Sequence, residues 1–423
     1  MNMQSGSRRV AFLQVACCGV AVSLASAASA LNGPPTAEEC ADEMHLWMDE
    51  KPDQTWQVVG QYPTVPGTEH GFVFQGDAAN GSYNHHARIL HHNGLFHALW
   101  SNQRYDEDGP GQRVLYASSA DGLAWSLPRE LVGAVSPEGP WEQGGVACAA
   151  EGFVFFDGRL FGVANAFEIV AWENMEKTKR VEKATRECCH YVTRGNGKLY
   201  REIRADGSFG TLFMSDGFIL PKEPLRAIAA RKDVEPTFAP PVREWNERSA
   251  VRQKPERRMC EPVVWKTADG GYTMLLRDDS NSYRKWISFS KDGFDWTKPR
   301  LTDIGDARTH GCAVTLPDGT VLLVINPRGR GYRDPKLGWR DRDPLTVSVS
   351  TDGLHFGNTH TVREGYYRYV VPLAGGPRCR GGSAAYPQAT VVGDFLYVIY
   401  SRGKESIETT RIPLKGLVKE LRR

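Results

Sequence analysis

Five short stretches of this 423-residue chain carry side chains able to move protons or hold an anion, and each stands just before an apolar run. They are Asn84-His85-His86, His190, Arg258 to Glu261, Arg308 to His310, and Tyr386-Pro387-Gln388. Arg277 follows a second apolar run, and Asp106 and Asp108 lie in the polar loop RYDEDGPGQ. Histidine titrates near neutrality and suits proton transfer. Several arginines facing one point are costly to bury unless an anion fills the space. Guanidinium forks grip carboxylates in pairs of hydrogen bonds, so a carboxylate sugar is the natural guest. The expected proton-transfer residues are His85 or His86, with Tyr386 assisting from across the pocket. The expected substrate contacts are Arg258, Glu261, Arg277, Arg308, His310, His190 and Gln388. Neighbours in a strand point to opposite faces, so only one of His85 and His86 is expected to face the pocket.

A recurring unit must position these residues. It reads apolar strand, tight turn, apolar strand: HARILHHNGLFHALWS, GVACAAEGFVFFDGRLFGVA, PVVWKTADGGYTMLLR, GCAVTLPDGTVLLVIN and QATVVGDFLYVIYS. A weaker copy is CHYVTRGNGKLYREI. Turns such as NG and DG suit hairpins, because both central residues need positive φ. The flanking Val, Leu, Phe and Tyr suit half-buried pleated surfaces. A second motif, Ser-x-Asp-Gly-x-x-aromatic, occurs at Ser119 to Trp125, Ser290 to Trp296 and Ser350 to Phe356. Its spacing implies a period of roughly 55–60 residues, long for a four-stranded blade of ~40–50. Such repeats bury their faces against their neighbours and close into a ring. The expected fold is all-β, a single β-propeller of six four-stranded blades over residues 55–423, with seven as the alternative. Strands near TWQVVGQ and HGFVFQ are expected to complete the last blade. Two excursions interrupt the pattern. Residues 167–187 read as helical and charged, and residues 219–257 as a proline-rich loop; loops this long commonly rim a binding face.

Composition bounds the rest. Apolar content of 41% with 24% charged residues is globular, which excludes disordered and collagen-like classes. Residues 1–30 read as a signal peptide: Arg8-Arg9, an apolar stretch from Ala11 to Ala27, then Ala28-Ser29-Ala30 as the cleavage site. SRRVAFLQ approximates a twin-arginine signal, with an ordinary secretory signal as the alternative. Residues 31–54 form an N-terminal segment. The expected location is the periplasm or the exterior. With Arg8 and Arg9 set aside, the 52 basic residues fall level with the 50 acidic ones, so nothing advertises a nucleic-acid partner. No later stretch is long and apolar enough to be a membrane helix. Cys40, Cys148, Cys188, Cys189, Cys260, Cys312 and Cys379 remain after the signal, an odd number that leaves at least one thiol unless chains pair. Cys188-Cys189 is expected to pack or to form a vicinal disulfide. No zinc-type cysteine spacing occurs, so no metal and no cofactor are expected; calcium is not readable from the sequence. A monomer is expected.

The Ser-x-Asp-Gly-x-x-aromatic motifs resemble, in shortened form, the Asp boxes (BNR repeats) of the sialidase superfamily, across residues 80 to 414. The box is a turn device, with Asp accepting backbone N–H bonds and Gly taking the left-handed position. The resemblance implies a sialidase-like propeller and a site of three arginines, an acid/base Asp and a Tyr–Glu pair. RMCEPVVW resembles the family's Arg-x-x-Glu-Pro blade start. MLLRDD with Arg277 and DARTHGCAVTLPDG with Arg308 resemble the second and third arginine sites. SAAYPQATVVGDFLYVIYS resembles the nucleophile strand, with Tyr386 in the tyrosine's place, and Asp106 or Asp108 falls near the acid/base position. Two departures stand out. Asn84-His85-His86-Ala87 replaces the opening Arg-Ile-Pro strand, and Ser401 stands where a Glu would activate the tyrosine.

The Asn-His-His start is similar to that of propeller enzymes, lyases and α-L-rhamnosidases, that part L-rhamnose from D-glucuronate. This resemblance implies exo-acting lyase or glycosidase chemistry on a uronate-containing glycan. Elimination needs a base for the C5 proton, cations to neutralise the carboxylate, and an acid for the leaving oxygen. The alternatives are a sialidase-like hydrolase and a propeller that binds glycan without cutting it.

Overall fold

The computed structural model describes residues 33–50, 60–104, 107, 111–134, 145–172, 191–215, 234–235, 257–328, 333–334, 338–339, 342–365, 367–371 and 384–418. Among these residues twenty-three strands form sheets, antiparallel except at β10, that follow one another along the chain. Strand β1 (Glu69–Gln75) comes first and joins the last sheet. Sheet I holds β2 (Tyr83–His92), β3 (Leu95–Gln103), β4 (Arg113–Ser119) and β5 (Arg129–Val132). Sheet II holds β6 (Gly145–Phe156), β7 (Arg159–Trp172), β8 (Tyr191–Ile203) and β9 (Phe209–Met214), with the short β10 (Val234–Glu235) added in parallel beside β9. Sheet III holds β11 (Met259–Lys266), β12 (Tyr272–Asp278), β13 (Arg284–Ser290) and β14 (Arg300–Gly305). Sheet IV holds β15 (Cys312–Thr315) and β16 (Val321–Ile325). After a ribbon of β17 (Arg333–Asp334) and β18 (Gly338–Trp339), it adds β19 (Leu345–Ser350) and β20 (Gly357–Arg363). Sheet V holds β21 (Ala384–Val392), β22 (Phe395–Arg402) and β23 (Ser406–Pro413), closed on its outer side by β1.

The first strands of these sheets lie against one another: β2 touches β6 and β21, and β15 touches β21 and β11. The core sits between the sheets, as stacked blades require. Leu99 and Val114 of sheet I pack with Val146 and Leu199 of sheet II. Trp100 and Ala98 pack with Ile399 and Ile407 of sheet V. Leu322 and Val347 pack with Leu396 and Val398, and Val263 and Leu275 with Leu323 and Ile325. Sheets I, IV and V are therefore buried on both faces, which explains the near-continuous apolar runs of their strands.

Among the described residues there are five such blades, not the expected six or seven. The miscount has a physical source. Gly195-Asn196-Gly197 reads as a hairpin turn, yet the chain continues through it inside β8 with only a shift of register. The turn that ends β8 is the later Asp206-Gly207. The expected helix over 167–187 is also corrected in part, because residues 167–172 extend β7. The remainder of that excursion lies outside the described residues, as does most of 219–257. HGFVFQ completes the last blade as expected.

The Asp boxes sit on the turns between the third and fourth strands of sheets I, III and IV. Asp121 Oδ1 accepts from the N–H groups of Leu123 and Ala124 at 2.9 and 2.8 Å. Asp292 and Asp352 do the same for their turns. Gly122, Gly293 and Gly353 take φ of 73°, 81° and 76°, where a side chain would be strained. Phe356 stands edge-on to Trp265 of the preceding blade, ring centres 5.7 Å apart. Helix α1 (Ala37–Ala41), capped by Thr36, leads into a segment that lies along sheets III and IV. No helix among the described residues is long and apolar enough to cross a membrane.

Candidate functional site

Three first strands share one irregularity. In β2, β11 and β21 the pairing register slips between His85 and Arg88, Cys260 and Val263, and Ala385 and Gln388. At each slip one residue has positive φ: His86 at 54°, Glu261 at 52° and Tyr386 at 56°. A bulge of this kind re-aims a side chain. Arg308, at 55°, occupies the approach to β15. Such backbone costs of order 1–3 kcal/mol per non-glycine residue and clusters at functional sites. The repeated bulges bring together four of the residues expected from the sequence.

Tyr386 is the centre of the arrangement. Its hydroxyl donates to Glu261 Oε1 at 2.6 Å and accepts from Arg277 Nη1 at 2.6 Å. The same Nη1 reaches Glu261 Oε2 at 2.7 Å. Burial alone would raise the Glu261 carboxyl, but Arg277, His310 and the Tyr386 hydroxyl overcome it and hold it at about 2. Burial, with Glu261 reinforcing it against Arg277, pushes the Tyr386 phenol well above its ordinary value. The proton thus rests on the phenol, beside an ionised carboxylate placed to receive it. The carboxylate that Ser401 appeared to deny to Tyr386 comes instead from Glu261, which had been assigned to substrate binding.

His85 and His86 part company. His85 is fully buried, its Nδ1 2.6 Å from Ser401 Oγ, and its Nε2 has no hydrogen-bond partner among the described residues. Burial drives its pKa well below 6.5, with Lys404 adding to the effect. His86 is partly exposed, its Nε2 3.1 Å from Glu107 Oε1 and its Nδ1 3.3 Å from Ser101 Oγ. Both rings lie near Tyr386, at 4.2 Å for His85 and 5.5 Å for His86. The two departures from the sialidase pattern therefore touch each other: the residue at the Glu position holds the first histidine. Lys404 Nζ meets Glu107 Oε2 at 2.5 Å. Burial opposes ionisation of Glu107, but Lys404 and His86 outweigh it and keep the carboxyl well below its usual range. His85, His86 and Glu107 bring possible metal-ligand atoms within 4.8 Å of one another, so these are the side chains that could hold an ion; Lys404 already stands on the carboxylate.

The remaining expectations divide. Arg277 and Arg308 do approach a common point, the carboxylate of Asp279. Arg258 is exposed, and its Nη2 donates to the Asp279 backbone oxygen at 2.9 Å. His310 lies 6.1 Å from the Tyr386 ring, with Nε2 on Pro262 O at 3.2 Å; burial, only partly offset by Glu261, lowers its pKa to about 4. Gln388 sits in β21 opposite Ile399, two residues past the bulge. Asp106, Asp108 and His190 lie outside the described residues, as do Cys188, Cys189 and Cys379. Cys40 and Cys312 are free thiols among the described residues, and Cys260 Sγ lies 3.7 Å from Asp279 Oδ2. Sequence reasoning missed Glu107, Asp279, Lys404 and Arg342, whose guanidinium lies 5.3 Å over the Tyr386 ring. Only Glu107 carried a usable signal, its place between Asp106 and Asp108.

The family model for a BNR repeat-like domain matches residues 211–398. No curated protein matches the chain in sequence. A solved structure titled sialidase superposes with a TM-score of 0.58 at 19% identity, covering 88% of this chain and 35% of that one. The fold is sialidase-like. The chain spans about a third of that sialidase's length. Trypanosoma rangeli sialidase in complex with sialic acid gives a TM-score of 0.46 at 13% identity, covering 85% of this chain and 60% of its own. A Dyadobacter fermentans protein of unknown function gives 0.46 at 13%, covering 82% and 99%. The sialidase-like fold and the BNR match agree with the blade reading of the sequence.

Proposed function

We propose that this chain is an exo-acting glycoside hydrolase with Tyr386 as nucleophile and Glu261 as the base that relieves it of its proton. The observation that carries this reading is the 2.6 Å hydrogen bond from the Tyr386 hydroxyl to Glu261 Oε1. A phenol attacks weakly unless a neighbouring base takes its proton as the bond forms. Here the phenolic oxygen bonds to the anomeric carbon, the glycosidic C–O bond breaks, and Glu261 gains the phenolic proton. Arg277, touching both partners, orients the pair. The leaving oxygen needs a proton; Glu107, held ionised by Lys404 and His86, is not its donor, and the candidates are the flanking Asp106 and Asp108. Water then adds to the anomeric carbon, giving its proton to the carboxylate that protonated the leaving oxygen; the tyrosyl-sugar bond breaks and Glu261 returns its proton to the phenolate.

The test is hydrolysis of a panel of 4-nitrophenyl glycosides, covering neutral hexosides and deoxyhexosides, a glucuronide and a sialoside. Tyr386→Phe keeps the ring and removes the attacking oxygen, so turnover should fall at least about 10³-fold. A Phe variant with full turnover removes the reading. The uronate-lyase reading keeps one support, the His86 ring 5.5 Å from Tyr386; its product would absorb in the near ultraviolet, which hydrolysis does not produce. Binding without cleavage would leave every member of the panel intact. Ala28-Ser29-Ala30, read as a signal-peptide cleavage site, supports a location in the periplasm or outside the cell.

A further inference from the structure

Resting on that hydrolase reading, the arrangement around Arg277 speaks to the class of sugar. Its guanidinium is nearly buried and already engaged at both terminal nitrogens. Nη1 meets Glu261 and Tyr386, and Nη2 meets Asp279 Oδ1 at 2.7 Å. The same Asp279 oxygen lies 3.8 Å from Arg308 Nε. Asp279 is no drifting surface acid. Its N–H donates to Arg258 O at 2.8 Å, and its carbonyl accepts from Arg258 Nη2 at 2.9 Å. Cys260 Sγ lies 3.7 Å from its second oxygen. Its neighbour Asp278 points the other way, fully buried on Arg257, which also binds Glu39. The two consecutive acids thus serve opposite sides of the chain, as strand alternation requires.

We infer that Asp279 is a built-in carboxylate, standing where an acidic sugar would place its own, and that the site therefore takes a neutral sugar. A second carboxylate at the Arg277–Arg308 pair would face Asp279 as a like charge, and two carboxylates sharing one site cannot both stay ionised cheaply. Two other described cations beside Tyr386 already have partners. Lys404 is on Glu107, and Arg342 lies across the tyrosine ring with Nη2 on Arg308 O at 3.0 Å. A neutral pyranose fits the same groups. Its hydroxyls can donate to Asp279 and accept from the arginines, a pairing that an ionised carboxylate, which only accepts, cannot make.

The test measures binding of free N-acetylneuraminate and free glucuronate by calorimetry, alongside turnover of the glycoside panel. Wild-type protein should bind neither acid saturably and should turn over a neutral glycoside fastest. Asp279→Ala and Asp279→Asn should each gain affinity for at least one acid by about tenfold or more, the scale of a freed charge-assisted contact. Asp279→Asn keeps the shape and guards against a misfolded Ala variant, with folding checked by thermal melting. Wild-type protein that binds either acid and prefers the acidic glycosides overturns the inference. So does a folded Asn variant with no gain. If no glycoside is cleaved but the variants acquire acid binding, the hydrolase reading falls while the role of Asp279 stands.

Discussion

At the scale of single residues, the site holds ionisable groups in unusual states, and this sets the acid limit of the fold. His85 stays neutral because it is buried, and His310 titrates at about 4 rather than 6.5. In the unfolded chain both take a proton as the pH drops through 6.5, so the stability they confer is complete above that value and declines toward about 4. Glu261 acts in the same direction over a lower window: its folded pKa is about 2 against an ordinary 4.5, so its contribution is present above 4.5 and is lost on the way down to 2. The melting temperature should therefore fall as the pH is lowered from 7 to 4.5, and His310→Gln should flatten that slope. Calorimetric scans at several pH values check this; a flat or rising profile contradicts it. The sequence showed which of these residues matter better than what each does. His85, His86, Glu261, Arg277, Arg308, His310 and Tyr386 were all legible from their place before or after an apolar run. The pairing of Glu261 with Tyr386 was not, because 125 residues separate them and only the packing of sheets III, IV and V brings them to 2.6 Å. Asp279 was missed, because its contact with Arg308 depends on how sheets III and IV meet and not on spacing.

Among the elements, the hairpins were the clearest signal in the sequence and also the source of its one miscount. Gly-rich turns announce positive φ, but Gly195-Asn196-Gly197 shows that the same residues can be carried inside a strand when neighbouring strands supply the pairing. The Asp boxes were more dependable because they specify a hydrogen-bond pattern as well as a backbone shape. Ser290 Oγ accepts from Gly293 N at 2.8 Å while Asp292 Oδ1 accepts from Phe294 and Asp295. All of this lies on a turn far along the blade from the β11 bulge. Asp292→Ala should lower the melting temperature while leaving turnover of the best glycoside unchanged. Loss of turnover at an unchanged melting temperature would instead give the box a part in the chemistry.

Across the whole molecule, stability depends on sheets meeting sheets, because every large apolar cluster but the smaller ones in sheets II and III is shared between blades. Sheet V is built from both ends of the described chain: β1 pairs with β23 from Glu69 opposite Arg411 to Gln75 opposite Ser406. Deleting residues 1–75 should therefore remove more than an outer strand. It takes Val73 from its cluster with Trp100 and Ile399, and bares the β23 edge. The truncated chain should lose its cooperative melting transition or associate through that edge, as circular dichroism and gel filtration would show. A monomer with an unchanged transition would mean that β1 is dispensable.

The pairing of β1 with β23 also imposes a timetable on synthesis. Glu69 must wait for Arg411, 342 residues later, before it can close the last sheet. At about 5–20 residues per second, β1 leaves the ribosome roughly 20–70 s ahead of its partner. During that interval earlier blades can form, but sheet V cannot, and Phe72, Val73 and Phe74 travel as an unpaired apolar strand. The nascent chain is thus most vulnerable at its oldest end, and a chaperone that shields the first hundred residues would protect it more than one that greets the last.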